Sequence, residues 1–225
     1  MIPQVPAAPV SLDDLRAQAV AALAGAPEGT ALDEATSALI GLAVRVSATC
    51  LDVEETERYV GRALDAGATA SQIHEAMVLV SALGVHSLME GSRCLAGVLR
   101  QRGDPTVTTP LDEARAALHA RFVGGDVYWE GMERAVPGFL DALLRFSPEA
   151  FEAFFNYCAL PWRSRALRAL TKELISIAVD SSPTHRYLPG FRLHLDNAIA
   201  LGAGRKAILQ ALDIAAAAPP HRGVG

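Results

Sequence analysis

The sequence predicts an all-α protein, and three observations support this prediction. Alanine and leucine, two strong helix formers, supply 41 and 28 of the 225 residues. Aromatic residues make up only 6% of the chain, and no segment alternates apolar and polar residues for long enough to predict a strand. With 51% apolar residues, a chain of this length can bury a substantial core, which argues against a disordered protein.

Charge and cysteine content exclude several classes of protein. The 20 basic residues are scattered and outnumbered by 25 acidic ones, which argues against sequence-specific binding of nucleic acid. Cys50, Cys94 and Cys158 show no CxxC spacing, so neither a disulfide framework nor a zinc site is indicated. Residues 1–10 lack a basic and apolar leader pattern, and no apolar run approaches the ~20 residues that span a bilayer. We therefore expect a soluble, cytoplasmic protein.

Comparing the chain with itself at an offset of 135 residues reveals an internal repeat. Residues 32–90 align with residues 167–225 without a gap, and 15 of the 59 pairs are identical. This predicts one helical unit present twice, the first within residues 1–104 and the second within residues 105–225. The most informative identities are Ile40/Ile175, Thr36/Thr171, Thr49/Thr184, Gly67/Gly202, Ile73/Ile208 and His86/His221.

Each repeat is predicted to contain three helices with recognisable ends. Apolar spacings of three and four residues predict the first helix, a glycine ends the second, and Pro219 and Pro220 stop the last one. The predicted pairs are residues 33–49 with 165–180, 54–66 with 191–201, and 71–83 with 205–218.

Further helices are predicted outside the repeats. Ser11 and Asp14 form a capping-box pattern that predicts a short N-terminal helix. Residues 103–110 predict a linker, and residues 111–122 and 149–160 predict helices, the second of which ends before Pro161 and Trp162.

Two ionisable residues of the second repeat suggest a reactive site. Glu173 lies in a strongly apolar helix, where it either faces solvent or is partly buried, with a pKa raised into a range useful for proton transfer. His194 shares a helix face with Ala198 and Gly202, so it points inward or towards a contact. It is therefore either a hydrogen-bonded core histidine or a catalytic group.

These residues carry a resemblance to a known family. The run Lys172-Glu173-Leu174-Ile175, followed by His194-Leu195, resembles the carboxymuconolactone decarboxylase and alkylhydroperoxidase D superfamily. The first repeat looks like a second copy, so the resemblance implies an all-α, tandem member that forms a homo-oligomer. Because two fused copies halve the subunit number of a hexamer, we expect a trimer first and a dimer second.

The resemblance implies two branches of activity that differ in their cysteines. In the peroxidase branch a CxxC dithiol precedes the histidine, but the corresponding positions here hold His185 and Leu188, or Tyr187 and Gly190. The first repeat offers Cys50 alone, as a nucleophile or an unpaired buried thiol, which argues against a disulfide-cycling peroxidase. The decarboxylase branch, which is similar in lacking the dithiol, implies catalysis without a metal or redox cofactor.

In that branch, the resemblance implies a proton donor and a pocket that excludes water. We assign His194 as the donor and Glu173 as its orienting partner. The first repeat has Tyr59 and Ala38 at these positions, so the reactive site is expected in the second repeat. The residues predicted to bind substrate are Arg192, Tyr187, His185, His221, Trp162 and Tyr157, of which His221 could instead cap a helix and the aromatic residues could simply pack.

The sequence therefore predicts an enzyme that acts on a small carboxylated or lactone-type metabolite. Two alternatives stay open: a non-catalytic oligomeric binding or scaffold protein, and a biosynthetic isomerase, hydrolase or cyclase that uses the same His194 and Glu173.

Overall fold

Helices form all the regular structure in the described part of the chain, residues 9–221 and 224, with the side chain of Leu83 excepted. The structure is a computed structural model. No strand occurs among the described residues, so the all-α prediction is confirmed. The helices are α1 (Leu12–Ala22), α2 (Glu34–Val46), α3 (Val53–Asp65), α4 (Ala70–Ser81), α5 (Val85–Gln101), α6 (Pro105–Thr108), α7 (Glu113–Phe122), α8 (Val127–Ala135), α9 (Phe139–Phe146), α10 (Pro148–Cys158), α11 (Leu160–Arg163), α12 (Ala169–Asp180), α13 (Leu188–Ala200) and α14 (Arg205–Ala216).

The expectation about an N-terminal leader concerns residues 1–10, of which 1–8 lie outside the described part. Within that part, no helix has the length and apolar character needed to cross a membrane.

Three helices of each repeat begin at positions 135 residues apart. The starts of α2, α3 and α4 correspond in this way to those of α12, α13 and α14. The non-glycine residues with positive φ also correspond, because Leu51 at 44° stands opposite Arg186 at 48°. The repeats meet at equivalent positions, where the Thr184 hydroxyl donates to the Thr49 carbonyl at 2.7 Å.

Local signals explain several helix ends. Ser11 and Asp14 form both hydrogen bonds of a capping box at the start of α1. Gly67 and Gly202 follow α3 and α13 with φ of 88° and 87°, a conformation that glycine adopts without steric cost.

Tertiary contacts move one predicted boundary. The helix predicted from residue 165 begins at Ala169 instead, because Ser164 and the Leu167 amide bind the buried Glu75 carboxylate. This contact fixes the preceding segment in a non-helical conformation.

Other elements differ from the predictions for local reasons. The predicted linker 103–110 contains α6, because Asp104 caps it and Pro105 fits its first turn. Pro161 likewise lies in the first turn of α11 rather than simply ending a helix. The sequence analysis assigned no helix to the positions of α5, α8 and α9.

Two hydrophobic clusters share the interior. The first joins α1–α4 with α12–α14, so both repeats contribute to one core. The second is aromatic and is built mainly by α8, α9 and α10, with Trp129, Phe139 and Phe155 among its buried side chains. The polypeptide from α5 to α11 therefore covers the repeats with a separate aromatic layer.

A buried ion pair fixes α4 against α12. The Lys172 ammonium lies 2.7 Å from Glu75 Oε1, and both side chains are at most 4% exposed. The ammonium also donates to the carbonyls of Pro161 and Ser164, at 2.5 and 2.9 Å. Burial raises the pKa of Glu75, but hydrogen bonds from Lys172 and Ser164 outweigh it, so the net pKa is lowered and the pair is ionised.

The two lysines of the chain provide a matched test of this pair. Lys172→Met should lower the free energy of unfolding by about 3–5 kcal/mol, because it leaves the Glu75 carboxylate buried without its cation. Lys206→Met should change it by less than about 1 kcal/mol, because the Lys206–Glu28 pair is exposed and 3.9 Å long. Urea unfolding followed by circular dichroism measures both, and similar small losses would contradict a structural role for Lys172.

Candidate functional site

A cavity of about 90 Å³ lies where the two hydrophobic clusters meet. A site of this size holds several water molecules or a small organic molecule. Its walls are mostly apolar and aromatic, with a few polar groups, which is typical of small-molecule sites. The lining residues with polar or aromatic side chains are His86, Tyr128, Trp129, Phe154, Cys158, Trp162, Ser176, Asp180 and His194.

An imidazole–carboxylate pair joins α12 to α13 at this cavity. His194 Nδ1 lies 2.6 Å from Glu173 Oε2, and Asn197 donates from its side-chain nitrogen to Glu173 Oε1 at 3.2 Å. Asn197 follows His194 by one helical turn, so both approach the same carboxylate. With Nδ1 engaged by Glu173, the other ring nitrogen of His194 is left for the cavity.

The environment favours the protonated form of His194. Burial lowers the pKa of His194, but the hydrogen bond to Glu173 and the charges of Glu173 and Asp180 outweigh burial, so the pKa lies above its usual 6.5. His86, Tyr128 and Asp180 are the other titratable groups that line the cavity near it, together with the Cys158 thiol. The pair is therefore arranged to hold a proton close to neutral pH.

In the first repeat, side chains fill the position that corresponds to the cavity beside His194. The ring of Tyr59, which stands where His194 does, packs so closely on Gly41 that an added Cβ would lie 2.1 Å from it. The Arg45 guanidinium lies over that ring at 4.0 Å and also binds Glu55 at 3.1 Å. Since aromatic and guanidinium groups occupy this space, the first repeat offers no equivalent imidazole–carboxylate pair.

A second cluster of ionisable groups borders the cavity. His86 Nδ1 lies 2.8 Å from His185 Nε2, and Asp180 Oδ1 lies 3.8 and 3.5 Å from these two nitrogens. The Tyr187 ring stacks on His86 with centroids 4.0 Å apart, and its hydroxyl donates to Glu90 Oε1 at 2.9 Å.

The remaining predicted site residues fall into two groups. Trp162 lines the cavity, as the sequence analysis expected of a pocket wall. Arg192 lies outside this cavity: it is exposed, binds Gln18 at 2.7 Å and lines a surface groove between α8 and α13 that Glu173 and Asn197 also line. Tyr157 is also outside the cavity, 45% exposed and hydrogen-bonded to Ser81 at 2.5 Å.

The other residues predicted to bind substrate also lie outside the cavity wall. His221 is exposed and does not line the cavity. His185 and Tyr187 stand behind the wall, where they contact the cavity-lining His86 rather than the cavity itself.

Sequence reasoning missed several cavity residues. Among these missed residues, Asp180 had a local sequence signal: it is an acidic residue at the end of an apolar, buried helix. His86, Tyr128 and Trp129 lie on helices distant in sequence from the second repeat, and only the tertiary structure brings them to it.

Two of the three thiols, Cys50 and Cys158, do not resemble the reactive thiol of a peroxidase. Burial raises the pKa of Cys50, whose thiol donates to the Pro219 carbonyl, and it raises the pKa of Cys158 to about 11. Peroxide reduction requires a thiolate, which these pKa values disfavour.

Within its described part the protein is all-α, with an imidazole–carboxylate pair beside a largely apolar cavity. No protein-family model matches the chain, and no curated protein matches it either. The chain is similar to a crystal structure from Burkholderia xenovorans LB400 described as a "putative gamma-carboxymuconolactone decarboxylase subunit". The two are 34% identical over 82% of this chain and 71% of that one, with a TM-score of 0.69. The chain belongs to the carboxymuconolactone decarboxylase family.

Glu173→Gln should lower the pKa of His194, because the hydrogen bond and the charge of the Glu173 carboxylate would no longer oppose burial. Titration of the imidazole ¹⁵N resonances by NMR measures the pKa. Glu57→Gln, which neutralises an exposed glutamate of α3, is the matched control and should leave the His194 titration unchanged. An unaltered His194 pKa in Glu173→Gln would contradict the coupling.

Proposed function

We propose that the protein is a carboxymuconolactone decarboxylase-like enzyme that acts on a small carboxylated or lactone-type molecule by proton transfer. In this proposal His194 is the proton donor, and Glu173 orients it and keeps it protonated. The observation that carries the proposal is the 2.6 Å contact between these two side chains, with the imidazole on the wall of a largely apolar cavity.

The proposed reaction uses the protonated imidazole once in each turnover. The bond between the carboxylate carbon and the substrate skeleton breaks, carbon dioxide leaves, and the electron pair is delocalised onto the neighbouring carbonyl oxygen. That pair then forms a C–H bond with a proton from His194, whose neutral ring is protonated again from solvent. Glu173 accepts the hydrogen bond from Nδ1 and stabilises the imidazolium form, as a base-orienting carboxylate does.

Tyr128 is suited to stabilise the negative charge on the carbonyl oxygen. Burial raises the pKa of Tyr128, and the charge of Glu173 raises it further, so the phenol stays protonated and can donate a hydrogen bond. Trp129 and Trp162 flank it on the cavity wall and limit the access of water to the reacting atoms.

The proposal includes assembly into a homo-oligomer, with a trimer as first choice and a dimer as second. On α5, Leu88, Leu95 and Val98 are each at least 40% exposed and recur at helical spacing on one face. The molar mass in solution, measured by light scattering after size-exclusion chromatography, tests this part.

Decarboxylation is tested with unsaturated lactone acids, γ-carboxymuconolactone first, by measuring the release of carbon dioxide. His194→Asn should lower kcat about 10²–10⁴-fold, the range that a positioned proton donor supplies. For the wild type, kcat/KM should fall as pH rises through the His194 pKa, because the reactive form is protonated. In Glu173→Gln this fall should occur at lower pH, a shift that a purely structural role would not produce.

Tyr59→Phe is the matched control, since it alters the corresponding position of the first repeat and should leave kcat unchanged. Carbon dioxide release that survives in His194→Asn would refute the assigned donor. Binding of lactone acids without turnover would favour the scaffold alternative, and a product formed without loss of carbon dioxide would favour an isomerase, hydrolase or cyclase.

A further inference from the structure

His86, Asp180 and His185 bring three potential metal ligands together beside the cavity. Their donor atoms lie 2.8, 3.5 and 3.8 Å from one another. A triangle with these sides has a point about 2 Å from every corner, close to the length of a bond from zinc to imidazole nitrogen or carboxylate oxygen. An ion slightly above that plane would reach all three atoms without a change of backbone.

The carboxylate of Asp180 is incompletely compensated. Its side chain is 2% exposed, and its Oδ2 atom has no hydrogen-bond partner among the described residues. The ionic contacts of its other oxygen are to the two imidazoles. A buried carboxylate is costly unless it is paired or coordinates a metal, so Asp180 is suited to bind a cation.

Asp180 Oδ2 packs closely against Gly190. A Cβ added to Gly190 would lie 2.3 Å from Asp180 Oδ2, so only glycine accommodates the carboxylate there. The equivalent positions of the first repeat hold Arg45 and Glu55, which form an ion pair at 3.1 Å. In the second repeat, an aspartate beside a glycine therefore stands where the first repeat has an arginine–glutamate ion pair.

Neighbouring side chains fix the orientation of the His86 imidazole. The stacked Tyr187 ring, anchored by its hydroxyl to Glu90, holds the His86 ring in place.

We propose that His86, Asp180 and His185 bind one divalent first-row transition-metal ion, tested here as Zn²⁺, at the edge of the cavity. Two imidazoles and one carboxylate favour such an ion over Mg²⁺ or Ca²⁺, which prefer oxygen ligands. Since His86 and Asp180 line the cavity, a remaining coordination position faces its contents. This differs from the expectation, drawn from the sequence, that no metal is involved.

An ion at this site changes which molecules the cavity accepts. No lysine or arginine is present among the described lining residues, whereas the Asp180 carboxylate is. A dication held by Asp180 and two neutral imidazoles leaves one net positive charge at the wall. The site is then suited to bind a carboxylate or carbonyl oxygen of a small acid.

The test uses the full chain, freed of metal with a chelator and titrated with Zn²⁺ by calorimetry. We expect one ion per chain, and Co²⁺ should give visible d–d absorption. Asp180→Asn and His185→Ala should each weaken Zn²⁺ binding at least about 10–100-fold, the loss caused by removing even an outer partner of a metal site. His74→Ala, which removes an exposed histidine of α4, should bind Zn²⁺ like the wild type.

Thermal unfolding separates lost binding from lost structure. In the presence of a chelator, Asp180→Asn should show the cooperative unfolding transition of a folded protein. Added Zn²⁺ should raise the melting temperature of the wild type but not of this variant. Failure of the wild type to bind Zn²⁺, or equal binding by the Asp180 and His185 variants, would refute the metal site. Binding should persist in His194→Asn, so the result is independent of the proposed decarboxylation.

Discussion

Three charged side chains on one buried helix constrain the rest of this structure. Lys172, Glu173 and Asp180 of α12 are each at most 3% exposed, among leucine, isoleucine and valine side chains. A buried charge must be compensated nearby, and each compensating group comes from a different part of the chain. Lys172 is paired with α4 and Glu173 with α13, whereas Asp180 contacts imidazoles of α5 and of the turn before α13 through one oxygen only. The contacts that satisfy α12 therefore also fix the elements that build the cavity.

The first repeat shows that the backbone alone does not create this site. Its helices begin at equivalent positions, yet Ala38 replaces Glu173, and Arg45 replaces Asp180. Arg45 is neutralised by Glu55 and covered by Tyr59, so no ionised group there lacks a partner of opposite charge. In the second repeat, the corresponding space is left to His194 and the cavity. A few substitutions thus distinguish a corner filled by an ion pair and an aromatic ring from one that borders a cavity.

The sequence could predict those features of the site that depend on local order. Glu173 and His194 lie on consecutive helices with apolar spacing, so their proximity follows from the packing of two neighbours. Arg192 is two positions from His194, which turns it towards a different face of the helix and explains its contact with Gln18. His86 is 94 positions from Asp180, and no local sequence pattern predicts that their side chains lie close together. For the same reason, the sequence alone could not predict that α8 contributes to the cavity wall.

The position of the cavity follows from the way the two hydrophobic clusters meet. Helices of the repeats pack closely through small residues such as Ala43, Ala178 and Ala211, all fully buried. The aromatic layer is made of large rings, which meet mostly edge to face and at tilted angles. The cavity lies between these two kinds of packing. Because α12 borders it with Asp180 and holds His194 there through Glu173, the junction of the two clusters also contains these ionisable groups. Within the described part of the chain, chemistry is therefore best supported at this junction rather than inside either cluster.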